Sequence, residues 1–313
     1  MSASFGHLRA KTLIPGIYKG LRQFCSDQSD ISSNNSVTCK LMSAMTVPNY
    51  ELTLWLWVEG MFPRRIAYFL LAKGLVTSPT DMLAKKTTDS ALKIVLMKPN
   101  IPGSGQAWAF NPTEEALAPD VSSPCLRIVD PVRGQRWVRE SSAILCYLED
   151  FYSNYGPSLQ PRSLVERAEM NDRMFAINEG FIHGLVYIKH AIPQTAFWSG
   201  LKNQERSHTA ARNGRASMVK VFSKMQMWAK KELETKGWLT PGVDGPGLVD
   251  FNLAALCRYT ELSYGWDLLD DEALRPLAKW YKRFQKLPWW AELEAREGAI
   301  PRELVFGKEC REV

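Results

Sequence analysis

The chain has 313 residues, 45% hydrophobic and 23% charged, the composition of a globular protein long enough for about two domains. Its net charge of +6 is uneven: residues 1–46 carry Arg9, Lys11, Lys19, Arg22 and Lys40 against Asp27 and Asp30, so the remaining body is nearly neutral and offers no basic field for nucleic acid. No apolar run approaches the roughly 18 residues of a membrane helix, and six scattered cysteines without a Cys-x-x-Cys pair read as free thiols, not disulfides or a zinc site.

Residues 1–46 differ from the rest. They are rich in Ser and Asn (residues 32–36), lack any acid before Asp27, and set Phe5, Leu8, Leu13, Ile17, Leu21 and Phe24 among basic residues. This is the composition of an organelle transit peptide, of a disordered tail, or of an upstream start added to a chain that begins at Met45, with Pro15-Gly16 interrupting any amphipathic helix.

Organised structure is expected from Tyr50. Leu52, Leu54, Leu56 and Val58, with Trp55 and Trp57 between, predict a strand buried on both faces. Residues 59–63 are a turn, and Pro63 suits the start of a helix. That helix runs over 64–74 with Ile66, Phe69 and Leu70 on one face and Gly74 as its stop. Residues 91–97 predict a second buried strand. The segments 77–89 and 98–123 read as polar connectors. Then come a strand over 124–129, a turn at 130–134 and a strand end at Trp137-Val138, a hairpin by its spacing.

The stretch 136–152 organises this half. Ser141 is a suitable N-cap, and Ile144, Leu145, Leu148 and Phe151 follow at helical spacing. An acid beside a hydroxyl where a strand passes to a helix can hold a zwitterion: the helix start favours a carboxylate and Glu140 can pair with an ammonium. Plain capping is the commoner explanation of such a pair. After a Gly/Pro/Ser-rich linker at 153–163 the chain turns helical, with helices predicted over 164–191, 203–236, 251–262 (nearly all apolar, hence central), 271–287 (ended by Pro288) and within 289–313. Four histidines (His7, His183, His190, His208) without a His-Glu-x-x-His pattern point to no metal.

Three motifs in order resemble the soluble glutathione transferase superfamily, in wording most like its fungal members: a strand followed by Phe62-Pro-Arg-Arg-Ile-Ala-Tyr-Phe-Leu-Leu-Ala-Lys-Gly74, then Ser123-Pro124-Cys125-Leu126, then Glu140-Ser141 heading Ala143-Ile-Leu. Leu248-Val-Asp250-Phe-Asn-Leu-Ala254 resembles the family's internal capping motif and Pro276-Leu-Ala-Lys-Trp280 its next helix. The resemblance covers roughly residues 47–295. It implies an extension at 1–46, an α/β thioredoxin-like glutathione-binding domain at 47–153, an all-α domain at 160–300 and a tail at 301–313.

The resemblance further implies that Glu140 and Ser141 hold the γ-glutamyl end of glutathione, that Ser123 before a cis Pro124 offers its backbone to the cysteinyl part, and that Asp250 serves folding. The family places a Tyr, Ser or Cys just after the first strand. Here that segment is Trp57-Val-Glu-Gly-Met-Phe-Pro63, with no hydroxyl or thiol. Backbone N–H groups near Gly60 and Phe62, and Arg64, are the remaining candidates to hold a thiolate, with Glu59 opposing if it points inward. Gly247 replaces the Ser or Thr that opens the capping motif. Which of Trp108 and Ser122 touches glutathione stays open.

The expected function is transfer of the glutathione thiolate to a small hydrophobic electrophile, in detoxification or biosynthetic metabolism. The alternatives are a non-catalytic glutathione-binding or regulatory protein and a glutathione-dependent isomerase or lyase; no cysteine after the first strand disfavours a thiol–disulfide oxidoreductase. Glutathione is the co-substrate, with no metal, no nucleic acid and no membrane. A homodimer is expected, in the cytoplasm, or in the mitochondrion if 1–46 is a transit peptide. Cys125 reads as a buried strand residue in preference to a nucleophile; Glu179, His183, Tyr187 and His190 as solvated or packed, or as walls of a second-substrate pocket; Trp198, Trp228, Trp238, Trp266, Trp280, Trp289 and Trp290 as bundle core.

Overall fold

The computed structural model describes residues 50–99, 108–109, 122–295, 300 and 304–305. The contacts divide the chain after Val47, and every described residue belongs to the second unit, Pro48–Val313. The expected extension over 1–46 and nearly all of the tail over 301–313 lie outside the described residues.

The α/β part opens with β1 (Glu51–Leu56), α1 (Met61–Lys73), a short α2 (Pro79–Leu83) and β2 (Leu92–Leu96). Two-residue strands β3 (Lys98–Pro99) and β4 (Trp108–Ala109) pair with each other. Then follow β5 (Cys125–Asp130), β6 (Gly134–Val138) and α3 (Ser141–Phe151). The four-stranded sheet has the order β2-β1-β5-β6. β1 is parallel to β2 and antiparallel to β5, and β5 is antiparallel to β6. This is a thioredoxin-like sheet. As the alternation of apolar residues requires, β1 is buried on both sides: Leu52, Leu54 and Leu56 join the main core, while Trp55 and Trp57 join a cluster with Val95, Met97 and Cys125.

The α-helical part comprises α4 (Leu164–Ala191), α5 (Ala196–Ser199), α6 (His208–Trp228), α7 (Lys230–Thr235), α8 (Leu248–Tyr264), α9 (Arg275–Phe284) and α10 (Trp290–Glu294). α4 and α6 pack along their lengths, and two glycines set their separation. A Cβ on Gly180 would come within 2.3 Å of the Phe222 ring, and one on Gly214 within 2.9 Å of the His183 carbonyl. α8 is the central helix, buried along most of its length and packed on α1, so one hydrophobic core runs through both parts.

Several expected boundaries differ. The connector 77–89 contains α2, because Ser78 accepts the Asp81 N–H (3.0 Å) and Pro79 sits in the first turn. The single helix expected over 203–236 is broken into a 3₁₀ turn (Asn203–Glu205), α6 and α7. Ser207 starts α6 by accepting the Ala210 N–H at 3.2 Å. The expected helix 271–287 contracts to α9 after a 3₁₀ turn that Asp271 caps at the Ala273 N–H (3.1 Å).

Glycine at position 247 has a local cause. Thr240 stands where a capping side chain would: its Oγ1 accepts the Val249 N–H (3.1 Å), in the first turn of α8, and donates to Asp250 (2.7 Å). A Cβ on Gly247 would lie 2.5 Å from the Leu159 carbonyl and 2.8 Å from the Thr240 side chain. The Gly247→Ser variant, which restores the family's usual residue and the generically better N-cap, should therefore lower stability by about 1–3 kcal/mol; its urea-unfolding midpoint checks this.

Candidate active site

The sheet register brings three separate stretches to one end of β1. Trp55 pairs with Cys125 and Leu126 with Val138, so continuing each ladder by two residues sets Trp57 beside Ser123 and Glu140 beside Pro124. The Trp57 N–H donates to Ser123 Oγ at 2.8 Å, and the Ser123–Pro124 peptide bond is cis. α1 and α3 both begin here, so two helix N-termini face the same corner.

At the start of α1, Gly60 packs so closely on Trp57 that a Cβ would come within 2.5 Å of the indole. Its own N–H donates to the Trp57 carbonyl at 2.9 Å, and its carbonyl accepts the Arg64 N–H at 2.8 Å. Gly60 is therefore already engaged as a donor. The first-turn N–H groups of Met61 and Phe62 have no acceptor within the helix, and Pro63 has none to give. Among the expected backbone donors, Phe62 with its neighbour Met61 fits a thiolate better than Gly60.

Arg64, the side chain also named as a candidate, has partners of its own. Its guanidinium turns into a buried ion pair with Glu294 and reaches the Glu59 carbonyl at 3.3 Å. Burial pulls its pKa down, but Tyr68 and Glu294 outweigh that and leave it above its ordinary value. Glu294 also binds Arg258 at 2.6 Å. Arg64 thus ties α1 to α8 and α10 and does not line the cleft described below.

Ser141 departs from the expected N-cap. The N-cap of α3 is Glu140, with no side-chain capping bond. Ser141 is the first helical residue, 5% exposed, and its Oγ accepts Arg65 Nη1 at 3.2 Å. Sequence reasoning missed Arg65. It is 1% exposed, and its other contacts are Asn178 Oδ1 at 3.4 Å, taken by both terminal nitrogens, and the Phe62 ring at 4.9 Å. Among the described residues no carboxylate is in hydrogen-bonding contact with it. Burial pushes its pKa down to about 9, opposed by the exposed Glu140 carboxylate. A buried cation among neutral acceptors favours an anion arriving beside it. The signal in the sequence was the second arginine of Arg64-Arg65, since the first is consumed by Glu294.

Beside this corner a cavity of about 420 Å³ opens between β1, α1, α4 and α8. Its walls include Phe62, Phe181, Leu185 and Trp198, together with Ser123, Tyr259 and Tyr264. Among the described residues no charged side chain lines it. α4 contributes Phe181 and Leu185, one turn apart, not the polar row named from the sequence: Tyr187 packs on Trp266 at 4.6 Å and His190 Nδ1 accepts the Ser207 N–H at 3.1 Å. Trp198 and Trp228, expected in the bundle core, are exposed. Burial raises the Tyr259 phenol, with a counter-effect from Ser263 and then Arg64, and raises Tyr264 further. Cys125 is buried at 1% exposure in the second cluster. The Trp108 side chain lies outside what is described, and Ser122 Oγ is buried beside the corner with no hydrogen-bond partner among the described residues. Among the described residues no cluster of His, Cys, Asp or Glu could hold a metal, and no helix is long and apolar enough to cross a membrane.

No family model and no curated protein matches the chain. Solved structures are similar to it. Glutathione S-transferase unclassified 2 from Bombyx mori is 21% identical with a TM-score of 0.50, covering 80% of this chain and 94% of that one. Maleylacetoacetate isomerase from Anaeromyxobacter dehalogenans 2CP-1, with bound GSH in the active site, is 17% identical with a TM-score of 0.51, covering 82% and 99%. A glutathione S-transferase from Rhodospirillum rubrum F11 is 19% identical with a TM-score of 0.50, covering 78% and 92%. At these identities the likeness establishes a shared fold, a thioredoxin-like domain followed by a helical one.

Proposed function

We propose that the protein binds glutathione at the end of β1 and transfers its thiolate to a small hydrophobic electrophile. The observation that carries this reading is the convergence of the Ser123–cis-Pro124 segment, the start of α1 and the Arg65–Ser141 pair beside one uncharged cavity. The γ-glutamyl carboxylate is placed at the N-terminus of α3 with Ser141 and Arg65, its ammonium toward Glu140, and the cysteinyl backbone along Ser123. The sulfur then points to the Met61 and Phe62 N–H groups, with the cavity ahead of it.

Without a side-chain donor after β1, activation falls to those amides. Lowering the thiol from about 8.5 by two units needs about 2.7 kcal/mol, whereas a helix start supplies about 0.3–1 kcal/mol, and up to about 2 when partly buried. The thiol of bound glutathione should therefore titrate about one unit below its free value. The Arg64–Glu294 pairing favours this modest figure, because it withdraws the one nearby side-chain cation named for the role.

The test is a glutathione titration of the full chain, with the thiolate followed by its ultraviolet absorbance at several pH values, beside conjugation assays. A thiolate that appears below the free thiol's pKa, and binding that is lost in Ser141→Ala, support the transferase. Binding without turnover across several electrophile classes moves the reading to a regulatory protein, and turnover by addition–elimination without net conjugation moves it to an isomerase or lyase. An unchanged isotherm in Ser141→Ala removes Ser141 from the site.

A further inference from the structure

We propose that the outward face of α9, together with a cavity it shares with α7 and the end of α6, docks the protein on a membrane surface that carries anionic phospholipid. This inference stands apart from the glutathione-transfer reading above.

The charge is supplied by one short stretch. From Ala273 to Ala291 the chain has five basic residues and no acid, and the near-neutrality of the whole body hides this row. In α9, Leu277, Trp280, Tyr281 and Phe284 are buried, whereas Arg275, Lys279, Lys282 and Arg283 are exposed. At the α-helical repeat these four cations fall within an arc of about 100°, and Lys286 follows just past the helix end. Among the described residues only Arg275 of this row has a carboxylate partner, Glu272 at 3.0 Å, and both of those are exposed. Cations one turn apart repel each other. A face that is merely solvated intersperses both signs, so a row of one sign favours an anionic surface arriving over it.

Beside this row a cavity of about 550 Å³ opens between α9, α7 and the end of α6. Lys230, Arg275, Lys279 and Arg283 line it against one acid, Glu234, which lies 3.8 Å from Lys230 in an exposed pair. Arg283 is held in place. Its guanidinium lies 4.7 Å from the Trp238 ring, and a Cβ on Gly237 would come within 2.3 Å of its Nη1. A planar fork fixed in this way suits two oxygens of one phosphate.

The neighbouring apolar residues decide between anionic partners. Met227, which also lines the cavity, is 67% exposed, and Trp228 next to it is 43% exposed with Lys224 Nζ 4.8 Å from its ring. At a bilayer surface such side chains leave water for the acyl boundary while the lysines stay among the phosphates. A nucleic acid or a soluble phosphate would use the cations and leave Met227 in water.

The test is co-sedimentation of the full chain with vesicles of phosphatidylcholine alone or with about 30% phosphatidylserine. Wild type is compared with Lys279→Gln/Lys282→Gln and with Met227→Ser, and a thermal melt of each checks folding. Wild type should bind the anionic vesicles and not the neutral ones, and about 0.5 M salt should release it. Each cation near an anionic surface contributes about fivefold in partitioning, so the double variant should bind about 25-fold more weakly with an unchanged melt. Met227→Ser should bind about fivefold more weakly. No binding of wild type to the anionic vesicles overturns the proposal. Equal binding by the double variant also overturns it and assigns the attachment to the basic residues of 1–46. Tighter binding to a single-stranded RNA, lost in the same variant, gives the face to nucleic acid instead. Release by inorganic phosphate at constant ionic strength makes the cavity a soluble-anion site and sinks the membrane reading.

Discussion

Asp250→Ala should be the most destabilising single substitution in the helical part, costing roughly 4–5 kcal/mol. The carboxylate is fully buried and accepts five hydrogen bonds: from the N–H groups of Leu239 (2.8 Å), Thr240 (3.1 Å) and Gly247 (3.0 Å), from Thr240 Oγ1 (2.7 Å) and from Trp280 Nε1 (2.7 Å). Alanine leaves all five donors without an acceptor, in a place where water has little room. A total stability of about 5–15 kcal/mol makes such a loss a large fraction of the whole. The effect should also reach the cleft, because α8 carries Tyr259 and Tyr264 and packs on α1. Asp250→Asn keeps one acceptor oxygen but turns an amide donor toward donors, so it should fall between wild type and alanine. Urea unfolding of the three proteins measures this. A cost of about 1 kcal/mol or less for alanine would mean that water takes the carboxylate's place, and the capping account would fail.

Both the role of Asp250 and its neighbourhood show how far residue order carries an argument. The strand 52–56, the helix ended by Gly74 and the full extent of α4 were legible because apolar spacing and terminal residues agreed. The 164–191 span coincides with α4, although that helix is buried at Met170, Met174, Ile177, Phe181 and Ile188 against two different partners. What stayed hidden depended on tertiary pairing. Ser141 has the chemistry of an N-cap, but a buried guanidinium from another helix claims its hydroxyl. Arg64 and Arg65 are adjacent and alike in sequence, yet one is neutralised by Glu294, 230 residues away, and the other is not. Thr240 supplies the cap that Gly247 lacks, from outside the motif. The breaks at Ser207 and Ala229 were signalled only by a serine and a change of register within one continuous amphipathic run. Local pattern reads elements; it does not read which distant charge or hydroxyl will arrive beside a residue.

Arg65→Met should weaken glutathione binding by about 100-fold, equivalent to about 2.7 kcal/mol, while leaving the free protein as stable as wild type or more so. In the free protein the guanidinium is desolvated and meets neutral acceptors at 3.2–3.4 Å. Burial sets its pKa near 9, well below that of an arginine in the unfolded chain, with Glu140 pulling the other way. The sign follows from proton binding: between about 9 and the unfolded value the unfolded chain holds the extra proton, so stability rises with pH across that window. At every lower pH both forms are protonated and the full cost of burying the cation stands, part of which methionine removes. A carboxylate bound beside Arg65 offsets the same cost in wild type through a charge-assisted hydrogen bond. Glutathione should therefore raise the melting temperature of wild type more than that of Arg65→Met at neutral pH. Arg65→Lys keeps the charge without the planar fork and should recover only part of the affinity. Isothermal calorimetry and thermal melts with and without glutathione measure both quantities. If Arg65→Met binds glutathione as wild type does and is also less stable, the arginine is a structural link between α1, α3 and Asn178, and the γ-glutamyl carboxylate must be sought elsewhere on the corner.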